Sequence, residues 1–326
     1  MAKILDTVLL LALPASGKSE VRRFLKLQTP AACRDDFHMG PTVQLDDFPY
    51  VHMMRRIDDE LEKLGQDRLY FKSGDRPFKD PVDWGTLIHL VNEDYRDLLA
   101  KKVVRPASAG VHLMERLEAA SAKAGAKPRL AKLDEKTRVA VAKAVEKESA
   151  DLLREKHEGY PDTLEGKTLV IEFARGGPDG SKMPLKGPFG YAYSLAQLDP
   201  EILRKAVILY VWVTPEESRR KNQARTNPND PGSILHHGVP IEVMMNDYGC
   251  DDMDWLEQNS KAKGAVTVSA GGKEYRVPIA RFDNRVDKTS FLRAEQKDWA
   301  PADVQAVRDG MKAALDKLAE STAAKA

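Results

Sequence analysis

An almost unbroken apolar run from Ile4 to Leu13 has the length of a strand covered on both faces in a parallel sheet. Pro14-Ala15-Ser16-Gly17-Lys18-Ser19 ends it, and Val21, Phe24 and Leu25 then recur at helical spacing. The pattern predicts a strand, a tight loop and a helix. A second strand is expected over Thr42-Val43-Gln44-Leu45, beside the first, ending in Asp46-Asp47-Phe48-Pro49-Tyr50 and followed by a basic helix with Arg55 and Arg56. Asp35-Asp36-Phe37 follows Cys33-Arg34 rather than an apolar run and is expected in a solvated loop. Trp84, Leu87, Ile88, Val91, Tyr95 and Leu98 draw one apolar stripe along a helix that Asp83 can cap, and they read as core packing.

Two further apolar runs, Thr168 to Phe173 and Ala206 to Val213, have strand length. Thr214-Pro215-Glu216-Glu217 combines a capping Thr, a first-turn Pro and a reciprocal Glu, the start of a helix carrying Arg219, Arg220 and Arg225. That helix is expected to end near Asn227-Pro228, and the long loop from Asn229 to Val239 is more often functional than idle at such a length. Val266-Thr267-Val268 and Tyr275-Arg276-Val277 flank Gly271-Gly272 as a hairpin, and a last helix is predicted around Pro301 to Leu318.

From Lys101 to Gly159 the pattern changes to Ala, Lys and Glu with breaks at Pro106 and Gly125 to Pro128, which predicts a helical insertion. It holds fourteen Lys or Arg against nine Asp or Glu, the ordinary balance of a solvated helical face. The whole chain of 326 residues is close to neutral, with 51 basic against 50 acidic residues, so nothing in its overall field recruits nucleic acid or an anionic membrane. Cys33 and Cys250 stand far apart and outside any Cys-x-x-Cys spacing, which excludes a disulfide scaffold and fits a reducing cytoplasm. No apolar run reaches the roughly 20 residues of a membrane span. Lys3 before Val8 to Leu13 imitates a secretory leader only thinly, because Asp6 interrupts it.

The sharpest chemistry lies in Ala12-Leu13-Pro14-Ala15-Ser16-Gly17-Lys18-Ser19, which fits G-x-x-x-x-G-K-[ST] at every fixed position except the first, where Ala12 replaces Gly. Such a loop turns backbone N–H groups toward phosphate oxygens at the positive end of the next helix. Gly17 lets the main chain come close, Lys18 reaches the outer phosphates, and the Ser19 hydroxyl is placed to ligate Mg²⁺. Ala12 is tolerable provided its φ stays negative, and Pro14 stiffens the loop. The expected nucleotide-binding residues are Pro14, Ala15, Ser16, Gly17, Lys18, Ser19 and Glu20.

These residues resemble the P-loop NTPases, and the wording Leu-Pro-Ala-Ser-Gly-Lys-Ser is similar to the small-molecule and nucleotide kinase branch, uridine-kinase-like or nucleotide-kinase-like. Leu45-Asp46-Asp47-Phe48 with Tyr50 is similar to the acidic strand end of uridine-kinase-like enzymes, with Pro49 interrupting the usual Phe-Tyr pair. Val170-Ile171-Glu172-Phe173-Ala174-Arg175 resembles the strand with the Mg²⁺-associated carboxylate and a nearby Arg, and Val211 to Arg225 resembles the strand and Arg-rich lid helix. The resemblance implies a three-layer α/β sandwich around a mostly parallel five-stranded sheet, built from residues 1–100 and 165–326, with 101–164 inserted. It implies an ATP- and Mg²⁺-dependent kinase moving the γ-phosphoryl group to a hydroxyl or phosphate of a small metabolite or nucleotide.

In that frame Asp46 is expected to be the general base or to orient the acceptor hydroxyl, against the alternative of a carboxylate capping the next helix, with Asp47 as its substitute. Glu172 at the end of an apolar strand must face a site or pair with a cation. A magnesium-linked role is expected for it, the alternative being an ion pair with Arg175. Arg175 is expected to grip the acceptor or the transferred phosphoryl group. Arg219, Arg220 and Arg225 could close over the nucleotide, although positions six apart on a helix diverge by about 240°. The resemblance places adenine contacts at Asp283-Asn284. His236-His237 in the long loop read as loop histidines rather than metal ligands. Two other functions remain open: a polynucleotide or RNA-end kinase using the basic insert, and a regulatory ATPase docking a protein partner there. Acceptor specificity is expected in residues 49–80, the insert and residues 227–249.

Overall fold

Strand β1 (Thr7–Leu11) turns Leu9 and Leu11 to one face of a sheet and Val8 and Leu10 to the other, all of them buried. The computed structural model describes residues 4–225 and 238–323. The other strands are β2 (Thr42–Asp46), β3 (Thr168–Phe173), β4 (Ala206–Trp212), β5 (Ala265–Ala270) and β6 (Lys273–Asp283). They form one six-stranded sheet in the order β2-β3-β1-β4-β6-β5, parallel except for the antiparallel β5–β6 pair.

The expected five strands therefore become six, because β6 is longer than a hairpin arm. Its first half pairs with β5 as far as Pro278, and its second half, from Ile279 to Asp283, pairs in parallel with β4. Gly271 and Gly272, at φ 56° and 74°, make the tight hairpin turn, a backbone that residues with a Cβ rarely adopt. The expected position of β2 is also corrected. It pairs with β3 rather than with β1, so that Asp46 lies level with Glu172.

Helices cover both faces. On the Val8 face pack α1 (Lys18–Lys26), α2 (Pro30–Phe37) and the last helix, which closes the described chain. The segment expected as a solvated loop at Asp35-Asp36-Phe37 is the end of α2. Thr29 caps it, Pro30 opens it, and Phe37 is buried edge-on against Phe24. On the Leu9 face lie α4 (Asp83–Ala100), α8 (Gly190–Ala196), α9 (Pro200–Lys205) and α12 (Met253–Gln258). Asp83 does not cap α4 as expected. It enters the first turn fully buried and binds Arg129 at 2.6 Å.

A third core joins α3 (Phe48–Lys63) and α4 to the helices between residues 101 and 164: α5 (Ala109–Ala124), α6 (Glu135–Ala144) and α7 (Glu146–Glu158). Buried charges stitch this core. Arg116 of α5 bonds Asp94 of α4 at 2.7 Å and the Tyr50 hydroxyl of α3 at 2.9 Å, and Lys156 of α7 binds Asp94 and Asp97. The remaining helices are α10 (Pro215–Arg225), α11 (Ile241–Asn246) and α13 (Pro301–Ala323), the last helix on the Val8 face. Thr214 accepts from the Glu217 N–H at the start of α10, as its sequence predicts, whereas the Glu217 side chain turns to Arg220. Among the described residues no helix is long and apolar enough to cross a membrane.

Candidate active site

The loop between β1 and α1 begins a cleft along the carboxyl ends of β1, β2 and β3. Ala12 keeps a negative φ, and the left-handed turn falls on Ala15 (φ 54°) and Gly17 (φ 108°). A Cβ on Gly17 would stand 2.5 Å from Thr289 Oγ1 and 2.8 Å from Asn284 Nδ2, so glycine is required both for its backbone angle and for this close approach. The Lys18 ammonium reaches back across the loop to the Ala12 carbonyl at 3.3 Å. The buried Ser16 hydroxyl has no hydrogen-bond partner among the described residues. Pro14 through Glu20 all line the cleft.

Asp46, Asp47 and Glu172 face the same cleft. Arg22, on α1 three residues beyond Ser19, holds this end together. Its guanidinium binds Glu172 Oε2 at 2.7 Å, stands 3.7 Å from Asp46 Oδ2, and also bonds Gln44. Asp46 Oδ1 accepts the Phe48 N–H at 2.8 Å, so the capping alternative is realised on one oxygen while the other remains on the cleft side. Burial, then the Glu172 and Asp47 charges, push the Asp46 carboxyl up to about 7. Burial also raises Asp47, opposed by Arg175 and Lys18.

Arg175 is placed otherwise than expected. It is 1% exposed, does not line the cleft, and pairs neither with Glu172 nor with open space. Its guanidinium binds Asp47 Oδ2 at 2.7 Å and Ser194 Oγ at 2.9 Å, and lies over Trp84 and Phe173. Apolar strand ends leave no water for this cation, so the nearest carboxylate takes it. Arg175 thus positions Asp47 and cannot grip a substrate from there. Asn284 is likewise fully buried behind the loop rather than in the cleft. Its amide donates to the Ser16 carbonyl at 2.6 Å and to Thr289, and its oxygen accepts the Lys288 N–H. Glu20 lines the loop, but its carboxylate is bound by Arg293 at 2.6 Å.

The basic residues of α10 split. Arg220 is half-exposed and held by Glu217 at 2.7 Å, and Arg219 lies near Asp179 and Glu216. Neither lines the cleft. The side chain of Arg225, together with Asn227, Pro228 and His236-His237, lies outside the described residues. Lys221, which the sequence did not single out, is buried and binds Asp287 at 2.7 Å and Thr289 at 3.0 Å, and Ser218 donates to the Pro14 carbonyl at 2.7 Å. Through these contacts α10 braces the loop between β1 and α1 from behind.

Beyond the carboxylates the cleft continues into a chamber walled by Phe71, Phe78, Trp84 and Tyr248, with Arg55 and Asp247. The rings pack in sequence: Phe71 stacks on Phe78 at 4.4 Å, Phe78 meets Trp84 edge-on at 4.9 Å, and Trp84 meets Tyr248 edge-on at 5.4 Å. Asp247 is buried, which pushes its carboxyl up to about 7 against the opposing charges of Lys72 and Arg55. Trp84, expected as plain core, is both core and wall. Apart from Trp84 these residues fall within residues 49–80 and 227–249, and no residue of 101–164 lines the cleft. The aromatic and acidic members are scattered over the chain, so no local spacing announces them.

The donor set suits Mg²⁺, which takes hard oxygens and normally keeps several waters besides one or two protein groups. The Ser19 hydroxyl and the Asp46 and Glu172 carboxylates line one cleft beside the β1–α1 loop, with Glu172 Oε2 occupied by Arg22. No group of three or more His, Cys, Asp or Glu among the described residues is arranged to hold a metal by itself. Compared with known proteins, the chain matches no protein-family profile, no curated protein and no solved structure.

Proposed function

We propose that the chain is a P-loop phosphotransferase, a kinase that uses ATP with Mg²⁺ to phosphorylate the hydroxyl of a small acceptor. The observation that carries this reading is the meeting, in one cleft, of the Gly17-Lys18-Ser19 loop with the Asp46 and Glu172 carboxylates and the aromatic side chains Phe71, Phe78, Trp84 and Tyr248. A binding loop alone would serve any nucleotide-dependent protein. A carboxylate raised to about 7 and lining the same cleft as the loop is suited to accept a proton near neutral pH.

In this reading the loop amides and Lys18 hold the triphosphate, and Ser19 with Glu172 would hold the metal. Mg²⁺ when bound neutralises charge on the β- and γ-phosphate oxygens. Asp46 takes the acceptor's hydroxyl proton as that oxygen bonds the γ-phosphorus and the bond to the ADP oxygen breaks. Arg22 keeps Glu172 and Asp46 in register, and Arg175 fixes Asp47 beside them. The Lys18→Ala variant is expected to lose nucleotide turnover while keeping its circular dichroism spectrum. Unaltered ADP release in a folded Lys18→Ala protein would sink the assignment.

A further inference from the structure

We propose that the hydroxyl acceptor carries a positive charge, an organic ammonium group that lies against the ring wall of the chamber and pairs with the Asp247 carboxylate. The inference rests on the phosphotransferase reading and adds the acceptor's chemical class.

Four observations converge. Asp247 is 4% exposed and forms no ion pair within 4.0 Å among the described residues, Lys72 and Arg55 acting on it only from farther away. A buried carboxylate without a direct ion pair is costly, and a cationic ligand would supply one. The wall beside it is a continuous run of four rings, whose faces attract cations. Arg55 shows the wall used in this way, lying 3.9 Å over the Phe71 ring. Arg55 also donates to the Gly74 carbonyl at 2.6 Å. A phosphate or carboxylate acceptor would meet the Asp46, Asp47 and Asp247 carboxylates in the same cleft, against Arg55 on the chamber wall. The fourth observation concerns orientation. Trp84 is 3% exposed, and its indole N–H has no partner among the described residues, leaving a donor for an oxygen of the acceptor. The ammonium itself is unchanged by the reaction, which exchanges only the hydroxyl proton and the phosphoryl group.

The test is isothermal titration of the whole protein, loaded with a nonhydrolysable ATP analogue and Mg²⁺, with choline and benzyl(2-hydroxyethyl)dimethylammonium. Each is compared with its uncharged carbon isostere, 3,3-dimethylbutan-1-ol in the case of choline. The ammonium compounds are expected to bind at least ten times more tightly than their isosteres, and Asp247→Asn is expected to remove that difference. Persistent binding of the ATP analogue to the variant reports that it has folded, and the isostere comparison on the unaltered protein needs no variant. Equal affinity for charged and uncharged partners, no binding of either, or equal binding of uridine would overturn the inference while leaving the kinase reading intact. Failure of the ATP analogue to bind the unaltered protein would sink the kinase reading, and this inference with it.

Discussion

Asp46 has four neighbours that pull in different directions: the Phe48 N–H and Arg22 favour its charge, while burial beside Glu172 and Asp47 opposes it. The opposition wins and holds the group up to about 7. Asp46 accepts a proton only as the carboxylate, so turnover is expected to rise with pH through about 7 and to fall away below it. Asp46→Asn should cut turnover by about 10² to 10⁴ and abolish that pH limb, with little loss of ATP affinity. A larger defect in Asp47→Asn would move the base by one residue. The same shift gives folding a proton to take up between the ordinary carboxylate range and about 7. The contribution of this group to stability therefore declines as pH rises across that interval, which a series of thermal melts would record. At this scale Gly17, Lys18, Ser19 and Asp46 are legible from their order in the chain. Arg22 is not, because its partner Glu172 lies 150 positions away.

Between elements, the ends of β3 and α3 are joined through one buried pair, Arg175 with Asp47. Arg175→Met is expected to destabilise the fold by about 3 to 5 kcal/mol, the usual loss when one partner of a buried pair is left alone. Denaturant titration checks the magnitude, and a cost below about 1 kcal/mol would show that Asp47 finds another partner. The strand–loop–helix unit, the hairpin and the start of α10 are local patterns and can be read from the chain. The doubled pairing of β6 and the insertion of β3 between β1 and β2 depend on strands far apart in sequence.

Over the whole molecule, the helices between residues 101 and 164 share a core with α3 and α4 rather than standing apart, with Leu113, Met114, Leu117, Leu130 and Val141 all buried in it. Replacing residues 103–158 by a short Gly-Ser linker removes those side chains, each contributing about 1.5 to 3 kcal/mol on burial. The combined loss exceeds much of the roughly 5 to 15 kcal/mol that holds a native protein together. The shortened chain is expected to lose α3 and α4 packing, seen as proteolysis within residues 48–100. The flanks already touch, Tyr160 Oη donating to the Lys102 carbonyl at 3.2 Å, so strain in the linker would not account for the loss. A protease-resistant shortened chain would show that the insert is dispensable to the fold.

The order of residues by itself determined the tight loop between β1 and α1, the alternation of strands and helices, and the acidic end of β2, because each is set by neighbours within a few positions. Only the tertiary structure decided that Arg175 supports rather than grips, that Asn284 braces the loop from behind, and that Phe71, Phe78, Trp84, Tyr248 and Asp247 form one chamber. A buried charge takes whichever opposite charge the packing brings nearest, and a cavity is what several distant segments leave unfilled. Neither quantity exists until the chain has closed.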